Sequence, residues 1–329
     1  MTTPSWSQRR ERGSGVLVRL MIVLSLKLGW AAGQALLYPI TLYFYLFSPT
    51  ARSASRGFLA RVLPRSPGGA DILRHIFSFS CVLLDRIFLL SNRTDGFAID
   101  TTGLDDVTAA LDQSRGCLLL GAHLGSFEAL RCFGRQSPVP VKVLMYRANG
   151  GAYTDLVEAL DPALCEDIIE IGTPEAMLRV HESLQRGEIV GVLGDRAPRG
   201  EKLVTVPFLG DPAPFPIGPL LLSAALTAPV VLFFGIRTGP RRYTLHFEHF
   251  ADRIALDRGN RAAQTASCVQ LYASRLEHFC RRYPFNWFNF YDFWDSRLAS
   301  STAPHSASLR DAVSPVAAGT GSERFSAAD

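Results

Sequence analysis

Between Gly116 and Arg131 the chain reads GCLLLGAHLGSFEALR, and two of these residues could move a proton. The imidazole of His123 titrates near neutrality, so it can take a proton and return it at physiological pH. Glu128, five positions on, carries a carboxylate. On a continuous helix of about 3.6 residues per turn, that offset puts two side chains roughly 140° apart. They meet more easily if His123 lies in a loop and Glu128 in the first helical turn. A carboxylate so placed accepts the Nδ1–H and leaves Nε2 as a general base. This is the base-and-orienter half of a triad without its own nucleophile, whose place a hydroxyl of the substrate can take. The same spacing also suits an ordinary satisfied polar pair, so it does not decide function alone.

The surrounding pattern supplies elements to position these groups. Cys117 to Leu120 is a short apolar run of buried-strand type, Gly121, Gly125 and Ser126 break it, and an apolar-periodic run opens at Phe127. Strand, tight turn and helix are expected, with Ser126 as N-cap. Further strands are expected over 97–99, 141–146, 168–171, 189–193, 204–208, 229–236 and 243–247. Helices are expected over 54–92, broken near 64–69, and over 104–113, 153–160, 174–185, 218–225 and 260–282. Thr173 as N-cap, Pro174 at N1 and Gly187 as stop mark one of these helices clearly. Strands alternating with helices argue an α/β core.

Other groups sit where such a core collects its chemistry. Asp195 and Arg196 follow an expected strand, and Arg147 follows another; active sites of open α/β sheets gather at strand ends. Either arginine could hold a phosphate or a carbonyl oxygen through charge-assisted hydrogen bonds. Arg131 stands one turn beyond Glu128, where it could pair with that carboxylate or face a phosphate. His246 and His249 point to opposite faces if they lie on a strand, so no metal site is expected. No Walker loop, dinucleotide fingerprint or G-x-S-x-G elbow occurs. The stretch from Phe285 to Trp294 holds seven aromatic residues in ten, suited to core packing, an acyl groove or headgroup level.

A chain of 329 residues with 47% apolar content has ample material for a core. Its six cysteines show no C-x-x-C spacing and read as reduced core residues. Charge is uneven: residues 1–70 hold nine Lys/Arg and one acid, a net +8, leaving −4 for the remainder of the +4 chain. Because those basic residues flank apolar sequence, an anionic lipid surface is favoured over nucleic acid. The run from Leu28 to Ala51 has no charge and exceeds the roughly 20 residues that span a bilayer. Gly29, Gly33, Pro39 and Pro49 interrupt it, and basic clusters lie on both sides. A kinked or re-entrant anchor in the cytoplasmic leaflet is therefore favoured over a single crossing. The expected organisation is a loose N-terminus at 1–14, an apolar helical membrane anchor at 15–52, a catalytic domain at 53–298 and a disordered tail at 299–329.

HLGSFE resembles the H-x4-(D/E) signature of glycerolipid acyltransferases, and its surroundings are similar to the late acyltransferases of lipid A biosynthesis. The resemblance continues through Tyr146-Arg147-Ala148-Asn149, then Gly187-Glu188 to Gly194-Asp195-Arg196. Val206 to Gly210, Pro216 to Pro219, Ala228 to Val230 and the aromatic close from Trp287 to Trp294 follow in order, so that it covers roughly residues 15 to 296. It implies an α/β fold with a mixed, largely parallel sheet flanked by helices, and transfer of an acyl group from acyl carrier protein or coenzyme A. The implied acceptor is a hydroxyl of a glycolipid such as a lipid A precursor, with no metal and no cofactor. His123 and Glu128 would be catalytic; Arg131, Tyr146, Arg147, Asn149, Asp195 and Arg196 would bind substrate. A cytosolic donor implies an inner-membrane protein with its site on the cytoplasmic side. Gly194-Asp195-Arg196 departs from the family's usual D-Q or D-H, which leaves a phospholipid or aminolipid acceptor open. Readings of other classes are a lipid hydrolase, in which water replaces the acceptor, and a non-catalytic membrane adaptor, against which the intact His123 and Glu128 argue.

Overall fold

The structure, a computed structural model, describes residues 15–112, 116–130, 139–146, 156–157, 160, 162–196 and 201–295. The expected loose N-terminus, the tail and most of the expected helix at 153–160 lie outside them.

The core is a seven-stranded sheet in the order β1-β9-β8-β2-β5-β3-β4. Its strands are β1 (Ala98–Thr102), β2 (Cys117–Gly125), β3 (Val141–Tyr146), β4 (Ile168–Ile171), β5 (Ile189–Leu193), β8 (Val230–Gly239) and β9 (Arg242–Ala251). Strands β8, β2, β5, β3 and β4 are mutually parallel, while β9 runs antiparallel to β8 and carries β1 parallel to itself. The fold is thus α/β with a mostly parallel sheet flanked by helices.

Strand β2 is apolar throughout because both of its faces are covered. Leu118 and Leu120 join the cluster containing Phe58, Val192, Val269 and Leu276. Cys117 and Leu119 join the one containing Val82, Val107, Ala110 and Phe233 on the other side. The covering helices are α3 (Pro49–Val62), α4 (Gly69–Leu90), α5 (Leu104–Asp112), α6 (Pro174–Gln185), α7 (Gly218–Leu226) and α8 (Arg261–Arg282). A hairpin of β6 (Leu203–Phe208) and β7 (Asp211–Pro216) forms a separate two-stranded sheet beside α8.

The expected turn at 121–126 is a correction. Strand β2 runs on through Gly125, so His123 is a strand residue and not a loop residue. Gly125 has φ +75, and a Cβ there would lie 1.9 Å from the Gly235 carbonyl oxygen. Only glycine lets the strand end so close to β8. The chain then enters its helix at Glu128.

The N-terminal apolar segment is also rebuilt. It forms α1 (Gly15–Leu28) and α2 (Trp30–Phe47), separated at Gly29 with φ +88, and α3 straddles the expected boundary at residue 52. No helix among the described residues is long and apolar enough to cross a membrane. Helix α2 lies against α4 so closely that a Cβ on Gly33 would stand 2.8 Å from Leu84 Cδ1. Trp30 Nε1 donates to Asp85 Oδ1 at 2.6 Å. Asp85 Oδ2 accepts from Tyr243 of β9 at 2.7 Å and from Arg237 Nε of β8 at 3.3 Å. One buried carboxylate therefore ties α2, α4 and the sheet together.

A second buried polar link joins α3 and α4 to the C-terminal segment. His75 is fully buried, with Ser55 Oγ 2.9 Å from Nδ1 and the Trp287 carbonyl oxygen 2.8 Å from Nε2. The carbonyl requires the proton on Nε2, and the Ser55 hydroxyl then donates to Nδ1. Burial pushes the imidazole pKa down to about 4, against the Trp287 hydrogen bond. With a folded pKa below the unfolded value of about 6.5, the unfolded chain binds more protons between those pH values. The contribution of neutral His75 is therefore complete above about pH 6.5 and is lost as pH falls towards 4. Urea unfolding at pH 7.5 and 5.0 should show the wild type losing about 2 kcal/mol more than His75→Gln on acidification. Equal losses would remove His75 as the cause.

Candidate active site

In the parallel pairing of β2 with β5, Gly121 stands opposite Leu193, and Gly194 N–H donates to the Gly121 carbonyl at 2.9 Å. Two residues further along each chain, His123 meets Asp195. The backbone N–H of His123 lies 3.1 Å from both Asp195 oxygens, and its Nδ1 lies 2.7 Å from Oδ1. An ionised carboxylate only accepts, so the imidazole carries its proton on Nδ1 and presents Nε2 as an acceptor. The His123 side chain is 30% exposed and that of Asp195 is 0% exposed, so the ring has an open edge and a buried partner.

The electrostatics keep the two groups in opposite states. Burial opposes charge on Asp195, but His123, Arg196 and Asn289 together hold its carboxyl well below the usual carboxylate range. Burial is the largest influence on His123 and lowers its pKa; the charges of Arg196 and Arg86 add to this, and Asp195 opposes them. At neutral pH the pair is a neutral imidazole on a charged carboxylate, the form a general base requires.

The aromatic C-terminal segment closes the site from the side. Phe288 N–H donates to the His123 carbonyl at 2.8 Å, and Gly125 N–H donates to the Asn286 carbonyl at 2.8 Å. Trp287 Nε1 and Asn289 Nδ2 each donate to Asp195 Oδ2 at 3.0 Å. Arg196 donates from Nε to Asn289 Oδ1 at 2.6 Å and from Nη2 to the Phe288 carbonyl at 2.7 Å. On the β5 side, Tyr272 of α8 donates to the Gly121 carbonyl at 2.7 Å.

Glu128 does not occupy the place expected of it. Its Oε2 accepts from Ser126 Oγ at 2.8 Å, and its Oε1 lies 2.8 Å from Arg86 Nε. The carboxylate on Nδ1 is Asp195, because strand register delivers it there, whereas Glu128 is carried past on the following helix. Asp195, expected to bind substrate, is instead wholly buried behind the imidazole. Arg196 stands beside the pair but commits two of its nitrogens to the closing segment. Tyr146 ends β3; Arg131, Arg147 and Asn149 lie outside the described residues. His246 and His249 bond separately, to Thr102 and Asp252, and no group of residues among those described could hold a metal ion.

Sequence reasoning missed Arg86, Trp287 and Asn289 as individual contributors. Asp195 was named from its place after an expected strand, but for substrate and not for the imidazole.

The model of the bacterial lipid A biosynthesis acyltransferases matches residues 86–296, more than half of the chain. The chain belongs to this family. The match starts at Arg86, later than the resemblance suggested, and takes in every strand of the sheet together with the closing segment. No curated protein matches the chain. Membership in the lipid A acyltransferase family implies acyl transfer, with an acyl donor and a lipid A-type acceptor. The Nδ1-bound carboxylate and the partly open imidazole edge suit that chemistry.

Proposed function

We propose that this protein transfers a fatty acyl group from a thioester, carried on acyl carrier protein or coenzyme A, to a hydroxyl of a lipid A-type glycolipid. The observation that carries this reading is the 2.7 Å contact of His123 Nδ1 with the buried Asp195. Nε2 of His123 removes the proton from the acceptor hydroxyl as its oxygen attacks the thioester carbon. The carbonyl electron pair moves onto oxygen, and Asp195 stabilises the imidazolium that forms. Collapse of the tetrahedral intermediate re-forms the carbonyl and breaks the carbon–sulfur bond. The thiolate leaves with the proton from Nε2, giving an ester and a free thiol. Thiols, with pKa about 8.5, are good leaving groups, so neither a metal nor an acyl-enzyme is required.

The catalytic domain would work at the cytoplasmic side of the inner membrane, where a cytosolic donor reaches it. Support for attachment comes from α2, on which Tyr38, Leu42, Tyr43, Leu46 and Phe47 are exposed. Arg52 and Arg56 of α3 follow directly. An apolar helix face with adjoining cations suits a helix lying in the headgroup region.

His123→Ala should reduce acyl transfer about 10²- to 10⁴-fold, the usual worth of a general base. The acid limb of kcat/KM in the wild type should fall below the ordinary imidazole value of about 6.5, because burial and the neighbouring arginines hold His123 neutral. Wild-type turnover in the variant would remove His123 as the base. For attachment, the triple variant Leu42→Glu, Leu46→Glu, Phe47→Glu should lose co-flotation with anionic phospholipid vesicles while keeping its fold. Undiminished flotation would assign the contact to another surface.

A further inference from the structure

The acyl-transfer reading gives a task to one oxygen of Asp195. Oδ1 lies 2.7 Å from the ring nitrogen Nδ1 of His123. Oδ2 takes two neutral donors, Trp287 Nε1 and Asn289 Nδ2, each at 3.0 Å, and the backbone N–H of His123 lies 3.1 Å from both oxygens. These four donors match the roughly four acceptor positions of an ionised carboxylate. The carboxylate therefore cannot turn about its Cβ–Cγ bond without giving up a hydrogen bond. Being wholly buried, it has no water to replace one.

Both neutral donors come from one short segment that has its own anchors. The Trp287 carbonyl accepts from buried His75 at 2.8 Å. Its ring packs on those of Phe58 and Phe293, with centroids 4.9 and 4.8 Å away. Arginine has only donors, so the Asn289 oxygen faces Arg196 Nε at 2.6 Å and its NH2 faces Asp195. Trp287 forms an antiparallel bridge with Leu124, and Phe288 N–H donates to the His123 carbonyl at 2.8 Å. Residues 287–289 thus grip the histidine twice, at its backbone through Phe288 and at its ring through Asp195.

We propose that Trp287 and Asn289 are positioning residues for the general base: by occupying Asp195 Oδ2 they present Oδ1 to the imidazole and so set the direction in which Nε2 meets the acceptor hydroxyl. This rests on the acyl-transfer reading. Removing either donor has two consequences of known sign. The carboxylate gains freedom to tilt and takes the ring with it. Its charge is shared with fewer donors, so it holds an imidazolium more strongly.

The test compares the full chain as wild type, Trp287→Phe, Asn289→Ala and the double variant. Trp287→Phe keeps an aromatic ring in the pocket and removes the N–H. Arg196 and Arg86, whose charges bear on His123, and Tyr272, Cys280 and Tyr291, on which Asp195 acts, are unchanged in all of them. The midpoint of the His123 titration, read from its ring-proton shifts, should rise by about one pH unit in each single variant, the scale of one hydrogen bond to a charged group. It should rise further in the double variant, and the acid limb of kcat/KM should rise with it. On the pH plateau kcat should fall about ten- to a hundredfold, the cost of a misdirected group, with little change in KM for the thioester. In the wild type, the Trp287 ring N–H resonance should shift with the same midpoint as the imidazole. That readout needs no variant, so it decides the matter if a substitution unfolds the chain. An unmoved His123 titration in folded variants, or a Trp287 resonance indifferent to the imidazole midpoint, would reduce the two donors to packing and overturn the proposal. If the wild type transfers no acyl group from any thioester, the acyl-transfer reading fails, while both titrations still report whether these donors act on His123.

Discussion

A carboxylate with no exposure to water has to be supplied with donors by the protein, and meeting that requirement at Asp195 organises this fold. Oδ1 faces the backbone and ring of His123, and Oδ2 takes the same backbone N–H with Trp287 and Asn289. These donors come from β2 and from the C-terminal segment, 72 to 94 positions away from Asp195 in the sequence. Charge-assisted hydrogen bonds are stronger than neutral ones, so the cluster fixes the ends of β2 and β5 relative to each other. The same contacts define the chemistry, because the proton that satisfies Oδ1 is the one that leaves Nε2 basic.

The closing segment depends on this centre and also supports it. Trp287 is fully buried, donating to Asp195 from its ring and accepting from His75 through its carbonyl. His75 is braced in turn by Ser55 of α3. The N-terminal helices therefore reach the site along two routes, through His75 and through the Trp30–Asp85 contact. The membrane contact proposed for α2 would, through these two routes, set the height of the candidate site above the lipid.

Much of this was legible where the signal is local. Strands β3, β4 and β5 and helix α6 begin and end where apolar runs and caps put them, and Thr173 caps α6 by accepting from Ala176 N–H at 3.2 Å. Strand β7 is not among the expected strands, and it carries Pro212, Pro214 and Pro216. At every second position, however, their missing N–H groups all fall on the free edge of the hairpin. His123 was legible as a candidate base from its type and surroundings. Its partner was not, because the nearest carboxylate in sequence is Glu128, whereas the nearest in space is fixed by parallel register across 72 residues. Periodicity reveals strands but not their register, so a pattern that names a histidine and an acid need not name a pair.

The proton position on His123 tests this account most directly. Nitrogen-15 spectra of the imidazole, recorded on the full chain at pH 7, distinguish the two neutral tautomers from the imidazolium. The account predicts a neutral ring with its proton on Nδ1 in the wild type and in Glu128→Gln, and loss of that preference in Asp195→Ala. A proton on Nε2 in the wild type, or a tautomer that follows Glu128 and ignores Asp195, would contradict it.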